Sequence, residues 1–179
     1  MEKINKLKKF FKISKIDGYI IPKNDEFFGE YIPDNKDRLK YISDFTGSYG
    51  FALILNNNNY LFVDGRYTLQ ANKQSGKFFK IKTIPYELPL QILKKKLKIG
   101  FDPNLFTKKN LNIFFGRSNC EYVPLNKNLI DKIWIRKKNT VKNKFYSLPS
   151  NSIGENYKIK INKVVSNLKK VKADFQFIT

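Results

Sequence analysis

Hydrophobic residues follow a helical period at the start of the chain and then form a strand-like run. Ile4, Leu7 and Phe11 recur every three or four positions with lysines between them, which predicts an amphipathic helix over residues 3–14. The next apolar run, Gly18–Pro22, is short and uninterrupted, as expected for a buried strand. The pattern therefore predicts that a helix and then a strand open the chain.

A β-hairpin is the clearest local signal. Two β-prone runs, residues 50–55 and 60–63, flank the asparagines at 56–59, and asparagine tolerates turn and left-handed backbone conformations. A helix is predicted to follow over residues 66–75, with Leu69 toward the core. The hairpin requires at least one antiparallel strand pair in the sheet.

The remaining elements continue the alternation of helices and strands. A short helix capped by Asp34 or Asn35 is predicted before the hairpin. The predicted elements after it are strands at 78–84, 99–102 and 121–123 and helices at 88–97 and 108–117. Strands that alternate with helices of about ten residues predict an α/β fold, with a mixed sheet flanked by helices.

Composition divides the chain into three parts. Residues 1–135 hold these elements and are predicted to form one domain, whereas residues 136–150, rich in Lys, Asn and Thr, are predicted to be a linker. Residues 151–179 begin a second unit, in which Ser152 and Glu155 have the spacing of a capping box at a helix start.

The second unit is predicted to be a helix followed by the start of a strand at 175–179. The helix would carry an apolar face at three- and four-residue spacing, formed by Tyr157, Ile161, Val164, Leu168 and Val171. One helix and the beginning of a strand cannot bury such a face alone. We therefore expect this second α/β unit to be incomplete within the chain.

The chain is strongly basic, with a net charge of +20 from 35 basic and 15 acidic residues. Nucleic-acid interfaces favour clustered charge and arginine. The lysines here are dispersed, and the arginines are only Arg38, Arg66, Arg117 and Arg136. Solvated lysine-rich faces are therefore preferred over a nucleic-acid partner. A stand-alone basic module that binds nucleic acid or protein is kept as the alternative.

Other bounds come from single residue types. The sequence contains no apolar run of about eighteen residues, the length that predicts a transmembrane helix. Its single cysteine, Cys120, excludes an internal disulfide and fits a reducing compartment. No signal-peptide pattern is present near Met1. We expect a cytoplasmic protein without a membrane partner.

Catalytic chemistry is sparsely represented. The sequence has no histidine, one cysteine and scattered carboxylates, so neither a histidine-activated nucleophile nor a zinc site is indicated. Asp25 and Glu26 in an aperiodic loop stay ambiguous, whereas Asp34 and Asp37 are better explained by helix capping. The residues alone predict no catalytic site and no cofactor in this chain, which we do not expect to be a self-sufficient enzyme.

Three strings join glycine or proline to aromatic and charged residues more richly than packing requires: Glu30–Pro33, Phe45–Gly50 and Val63–Tyr67. Arg66 in the last string directly follows Asp-Gly at a predicted strand end, where α/β sheets present ligand contacts. Its guanidinium could clamp a carboxylate or a peptide carbonyl, or it could form a surface pair with Asp64 or a glutamate. From the residues alone, both interpretations stay open.

At these strings the sequence resembles the N-terminal creatinase-like domain of the cytosolic Xaa-Pro aminopeptidases (aminopeptidase P), which belong to metallopeptidase family M24. The matching strings are Asp17–Pro22, Asn24–Glu26, Glu30–Pro33, Arg38–Leu39, Ser43–Gly50, Phe62–Ala71, Gly100–Pro103 and Asn128–Trp134. The resemblance implies a creatinase N-terminal-like fold with a ribonuclease H-like motif.

The resemblance also implies a function for the parent enzyme, whose substrate is a peptide with proline at the second position. Two divalent metals, commonly manganese, are implied in a separate catalytic domain; its ligands, two Asp, one His and two Glu, have no counterpart here. This chain would be a non-catalytic part that positions substrate and supports assembly, with a homo-oligomer as one expected form. By the same resemblance, Arg66 contributes to substrate binding.

Overall fold

The computed structural model describes residues 1–136 and 146–177, and the chain divides into two compact units at residues 1–137 and 138–179. The strands are β1 Gly18–Pro22, β2 Gly50–Leu55, β3 Asn59–Asp64, β4 Lys80–Ile84, β5 Lys98–Phe101 and β6 Glu121–Pro124. The helices are α1 Glu2–Ile13, α2 Arg38–Ser43, α3 Thr68–Ser75, α4 Pro89–Ile92, α5 Lys108–Phe115, α6 Leu129–Ile133 and α7 Tyr157–Lys170.

The first unit is built on one mixed sheet with the order β4-β3-β2-β1-β5-β6. β2 runs antiparallel to both of its neighbours, whereas the β1–β5, β3–β4 and β5–β6 pairs are parallel. The ends of β1, β3, β4, β5 and β6 and the start of β2 therefore meet at one edge, called the carboxyl edge below. The α/β fold class and the antiparallel hairpin predicted from the sequence are confirmed.

Helices cover both faces of this sheet. α1, α2, α3 and α6 pack on one face around residues such as Leu7, Leu39 and Phe45, and α4 and α5 cover the other face around Phe51 and Phe115. Because β1 and β2 are buried on both sides, they are continuous apolar runs rather than alternating ones.

The prediction that Leu69 faces the core is wrong. Its side chain is 87% exposed, and α3 buries Ala71 and Ser75 instead. Residues four apart lie on the same face of a helix, whereas a residue two positions before Ala71 lies on the opposite face. The small buried residues set the packing face of α3, so its most hydrophobic residue, Leu69, lies on the outer side.

The ends of two helices refine or correct the sequence prediction. Of the three capping candidates Asp34, Asn35 and Asp37, it is Asp37 that caps α2, and its Oδ1 accepts a hydrogen bond from Lys40 N at 3.0 Å. α4 is shorter than the predicted helix at 88–97 because the backbone leaves the helical conformation at Leu93. A cap must directly precede the first helical turn, so the true start of a helix decides which candidate residue serves.

In the second unit, α7 begins at Tyr157 and is capped by Asn156, whose Oδ1 accepts a hydrogen bond from Lys158 N at 2.9 Å. The predicted capping box of Ser152 and Glu155 is wrong, since Glu155 pairs with Lys163 instead. Residues 171–177 contain no strand. The predicted linker at 136–150 and the predicted strand at 175–179 lie partly outside the described residues. Within the described residues, no helix is long and apolar enough to cross a membrane.

Candidate functional site

The carboxyl edge brings together strings that are distant in sequence. β1 ends there at Pro22, β3 ends at Asp64, and β2 begins at Gly50, which pairs with Val63. Gly50 has a φ of +154°, and a Cβ at this position would lie 2.6 Å from the carbonyl oxygen of Phe62, so a larger residue would be strained and would push the strands apart. Two of the three strings singled out in the sequence therefore meet where β2 and β3 pair.

Arg66 lies at this edge, in a 3-10 turn formed by Gly65–Tyr67 after β3. Its side chain is 75% exposed, and its Nε donates a hydrogen bond to Asp64 Oδ1 at 2.9 Å. Among the described residues, Nη1 has no hydrogen-bond partner. The surface pair with Asp64 is thus present, and it leaves one edge of the guanidinium able to bind a further group.

The pair keeps both groups charged. The side-chain hydrogen bond from Arg66, supported by one from the backbone N–H of Arg66, lowers the pKa of Asp64. The same side-chain hydrogen bond raises the pKa of Arg66. The carboxylate of Asp64 therefore restricts the orientation of the Arg66 guanidinium without removing its positive charge.

The loop before β2 holds the Arg66 turn in place. Ser48 Oγ lies 2.7 Å from Tyr67 Oη in a hydrogen bond, and the buried ring of Phe45 meets the Tyr67 ring edge-on at a centroid distance of 5.9 Å. Thr46 N donates to Gln74 Oε1 at 3.0 Å. These contacts fix the Phe45–Gly50 string to α3 and to the turn, so part of its unusual composition serves packing.

A buried ion pair lies beside β1 at the same edge. Lys23 Nζ is 2.5 Å from Asp37 Oδ2, and the two side chains are only 8% and 7% exposed. Asp37 also caps α2, so one carboxylate serves a helix end and neutralises a cation that directly follows a buried strand. The sequence interpretation found the capping role of Asp37 but missed its partner.

A second charged cluster joins α2 to α6. Arg38 donates hydrogen bonds to both carboxylate oxygens of Asp131, at 2.8 and 2.9 Å, and from Nη2 to Glu26 Oε1 at 2.7 Å. Burial opposes ionisation of Glu26, but hydrogen bonds donated by Arg38 and Lys36 outweigh it and lower the pKa of Glu26 to about 2. Glu26, which was ambiguous in the sequence, is thus part of an ion-pair network.

This lowered pKa predicts a pH dependence of stability. Glu26 stabilises the fold above its ordinary pKa near 4.5, and this contribution is lost as the pH falls toward about 2. Urea unfolding of the native chain and of Glu26→Gln should therefore show a stability difference at neutral pH that shrinks on acidification. Glu30→Gln, a change at an exposed carboxylate, serves as control and should follow the native chain; a constant difference for Glu26→Gln would contradict the prediction.

Asp25 and Cys120 each make local structural contacts. Asp25 is buried, and its Oδ1 accepts hydrogen bonds from Phe27 N at 3.0 Å and Gly29 N at 3.4 Å, which closes its loop. Cys120 is half-buried with Sγ 3.4 Å from the carbonyl oxygen of Lys95. In the described part of the chain, no three His, Cys, Asp or Glu residues are grouped to hold a metal ion.

The mixed sheet, its two helical layers and the strings at its carboxyl edge define a domain of the creatinase and prolidase type. Residues 3–133 match the family model described as the Creatinase/Prolidase N-terminal domain. The chain belongs to this family. The resemblance found in the sequence is confirmed.

Proteins with similar sequences are longer than this chain, which matches one part of each. The chain is 30% identical over 184 residues to the probable Xaa-Pro aminopeptidase P of Coprinopsis cinerea, covering 97% of this chain and 30% of that protein. It is 30% identical over 204 residues to Xaa-Pro aminopeptidase 1 of Dictyostelium discoideum, covering 99% of this chain and 31% of that protein. The chain thus spans about 30% of the length of these curated relatives.

Solved structures agree with this fold. The X-prolyl aminopeptidase of Caenorhabditis elegans, described as a cytosolic enzyme with a di-nuclear active site, superposes with a TM-score of 0.77 at 25% identity, over 97% of this chain and 31% of that one. The N-terminal domain of the peptidase PepQ from Mycobacterium tuberculosis matches with a TM-score of 0.57 at 22% identity, over 74% of this chain and 98% of that domain. The chain corresponds to the N-terminal domain of Xaa-Pro aminopeptidase-like proteins.

Proposed function

We propose that this chain is the non-catalytic N-terminal part of a cytoplasmic, metal-dependent Xaa-Pro aminopeptidase, and that it positions a peptide with proline at the second position. The observation that carries the proposal is the guanidinium of Arg66, which is 75% exposed at the carboxyl edge of a domain of this family and whose Nη1 has no hydrogen-bond partner among the described residues. An arginine can bind a carboxylate or a carbonyl through two parallel hydrogen bonds.

The metals of such an enzyme do not fit the described residues, which contain no group of three possible ligands. The proposal therefore assigns the two divalent metals, with manganese as the expected ion, to another part of the enzyme. No step of the hydrolysis is assigned to this chain. Its contribution is to orient the peptide and to support assembly, including a homo-oligomer.

The test is an enzyme in which this chain replaces the N-terminal part of the X-prolyl aminopeptidase from Caenorhabditis elegans. We expect Arg66→Ala to lower kcat/KM by about 5- to 150-fold, because a charge-assisted contact contributes roughly 1–3 kcal/mol. Arg66→Lys should recover only part of the loss, since lysine cannot bind through two parallel hydrogen bonds. The measurement is steady-state hydrolysis of a peptide with proline second.

Arg117→Ala is the matched control for this experiment. Arg117 is also an exposed arginine, but it follows α5 and precedes β6, at the opposite edge of the sheet. Its substitution should leave kcat/KM unchanged. This chain alone with added manganese is the second control and should show no hydrolysis. Equal kinetics for the native fusion and Arg66→Ala would remove Arg66 from the substrate site.

A further inference from the structure

A cavity of about 370 Å³ opens at the carboxyl edge beside β1. The connection after β1 runs through α2 on one face of the sheet, whereas the connection after β5 runs through α5 on the other face. The cavity therefore lies beside β1 and β5, two adjacent parallel strands whose following connections leave on opposite faces of the sheet. In open α/β sheets such a switch point is where ligands bind.

The walls of the cavity, called the switch pocket below, are mostly apolar. Phe51, Phe106 and Phe114 line it, and Ile113, 59% exposed, forms part of its wall. The cation at the pocket, Lys23, is already neutralised by its buried ion pair with Asp37. The volume of the cavity falls within the range of about 300–1,000 Å³ that is usual for small-ligand pockets. Because its walls are apolar and its lysine is paired, the lining favours an uncharged, apolar group.

Two side-chain amides add polar contacts to these walls. Asn24 lies in the lining and donates from Nδ2 to the carbonyl oxygen of Leu105 at 3.2 Å, which leaves its Oδ1 without a partner among the described residues. The side-chain amide of Asn110 has no partner there either. An amide donor and acceptor beside an apolar cavity match a peptide, whose backbone carries N–H and C=O groups next to each side chain.

Tyr49 belongs to the lining of the switch pocket. Burial and the negative charge of Asp64, at the end of β3, raise the pKa of its hydroxyl. β2 separates β1 from β3, and two strand spacings of about 4.8 Å place their ends about 10 Å apart. About three extended residues span this distance.

We propose that the switch pocket binds an apolar side chain, such as that of leucine or phenylalanine, from a short extended peptide whose polar groups reach Arg66. This inference rests on the proposed function and specifies its substrate class. The pocket would select among peptides that share proline at the second position by the residue that follows it. Arg66 would contribute equally to all of them.

The test is a binding titration of the full 179-residue chain with the peptides Ala-Pro-Leu, Ala-Pro-Phe and Ala-Pro-Gly, followed by amide NMR shifts. We expect the leucine and phenylalanine peptides to bind about tenfold more tightly than the glycine peptide, because burial of an apolar side chain strengthens binding. The largest shifts should fall at the lining of the switch pocket. Equal affinity for the three peptides, or no shift at the pocket at millimolar peptide, would overturn the inference.

A variant that fills the switch pocket with a larger side chain tests whether the pocket itself selects the peptide. Ile113→Trp should abolish the preference for leucine over glycine, whereas Leu69→Trp, a change at an exposed aliphatic residue on α3, should preserve it. Matching thermal unfolding midpoints of the two variants would show that both remain folded. A preference that survives in a folded Ile113→Trp chain would place the selecting site elsewhere.

Arg66→Ala separates this inference from the proposed function. It should weaken all three peptides by the same factor and leave the leucine-to-glycine ratio intact. If the ratio holds and the overall affinity does not change, the switch pocket stands while the role of Arg66 fails. If the peptides bind equally but all weaken in Arg66→Ala, the role of Arg66 stands while the switch pocket fails.

Discussion

Replacing Asp37 with alanine is expected to lower the free energy of unfolding by about 3–5 kcal/mol, because removal of one partner leaves a buried charge unpaired. Lys23 Nζ lies 2.5 Å from Asp37 Oδ2, and both side chains are less than one-tenth exposed, at 8% and 7%. Asp37 also caps α2 by accepting a hydrogen bond from Lys40 N, and the loss of a cap adds to the cost. Urea unfolding at neutral pH measures the change.

Asp34→Ala is the matched control, since Asp34 also pairs with a lysine, Lys40, but its side chain is 89% exposed. An exposed ion pair contributes about 0–1 kcal/mol, so this variant should stay close to the native chain. Asp37→Asn keeps an oxygen that can cap α2 and should lose less than Asp37→Ala. Similar losses for Asp34→Ala and Asp37→Ala would show that the buried pair has no special role.

These two aspartates illustrate what the sequence could and could not reveal. The sequence predicts that both are capping residues, and the structure confirms this for Asp37. The burial of Asp37 depends on Lys23, which comes from a different element after β1, and a helical pattern carries no information about such a contact. The wrong prediction that Leu69 faces the core has a related cause. The packing face of α3 is set by the sheet that the helix covers and not by its own most hydrophobic residue.

At the carboxyl edge, too, the sequence predicts the local feature but not the contacts between distant elements. The sequence predicted that Arg66 directly follows a strand, and the structure has Arg66 in a turn immediately after β3. Its neighbours at that edge follow from the pairing of Gly50 with Val63, which only the strand order supplies. The switch pocket combines the end of β1 and the start of β2 with α5, so no local pattern could have indicated it.

Replacing Phe45 with alanine is the second change with a large expected effect, a loss of about 3–5 kcal/mol of unfolding free energy, as is usual when a buried aromatic side chain is removed. The ring is completely buried and packs edge-on against Tyr67 at a centroid distance of 5.9 Å. Tyr67 lies in the turn that carries Arg66, where it is also hydrogen-bonded to Ser48. Loss of its contact with the Phe45 ring should therefore loosen that turn. Chemical unfolding gives the loss in stability.

Gly47 provides a direct test that the Phe45 ring occupies this position. A Cβ on Gly47 would lie 2.2 Å from Phe45 Cζ, so Gly47→Ala should cost about 1–3 kcal/mol through overpacking. The same substitution should cost less in a Phe45→Leu background, because the shorter side chain vacates that space, and the double-mutant cycle measures the difference. Gly65→Ala is the control, since its Cβ would meet no atom closer than 3.8 Å. Additive effects of Gly47→Ala and Phe45→Leu would mean that the close contact with the ring does not exist.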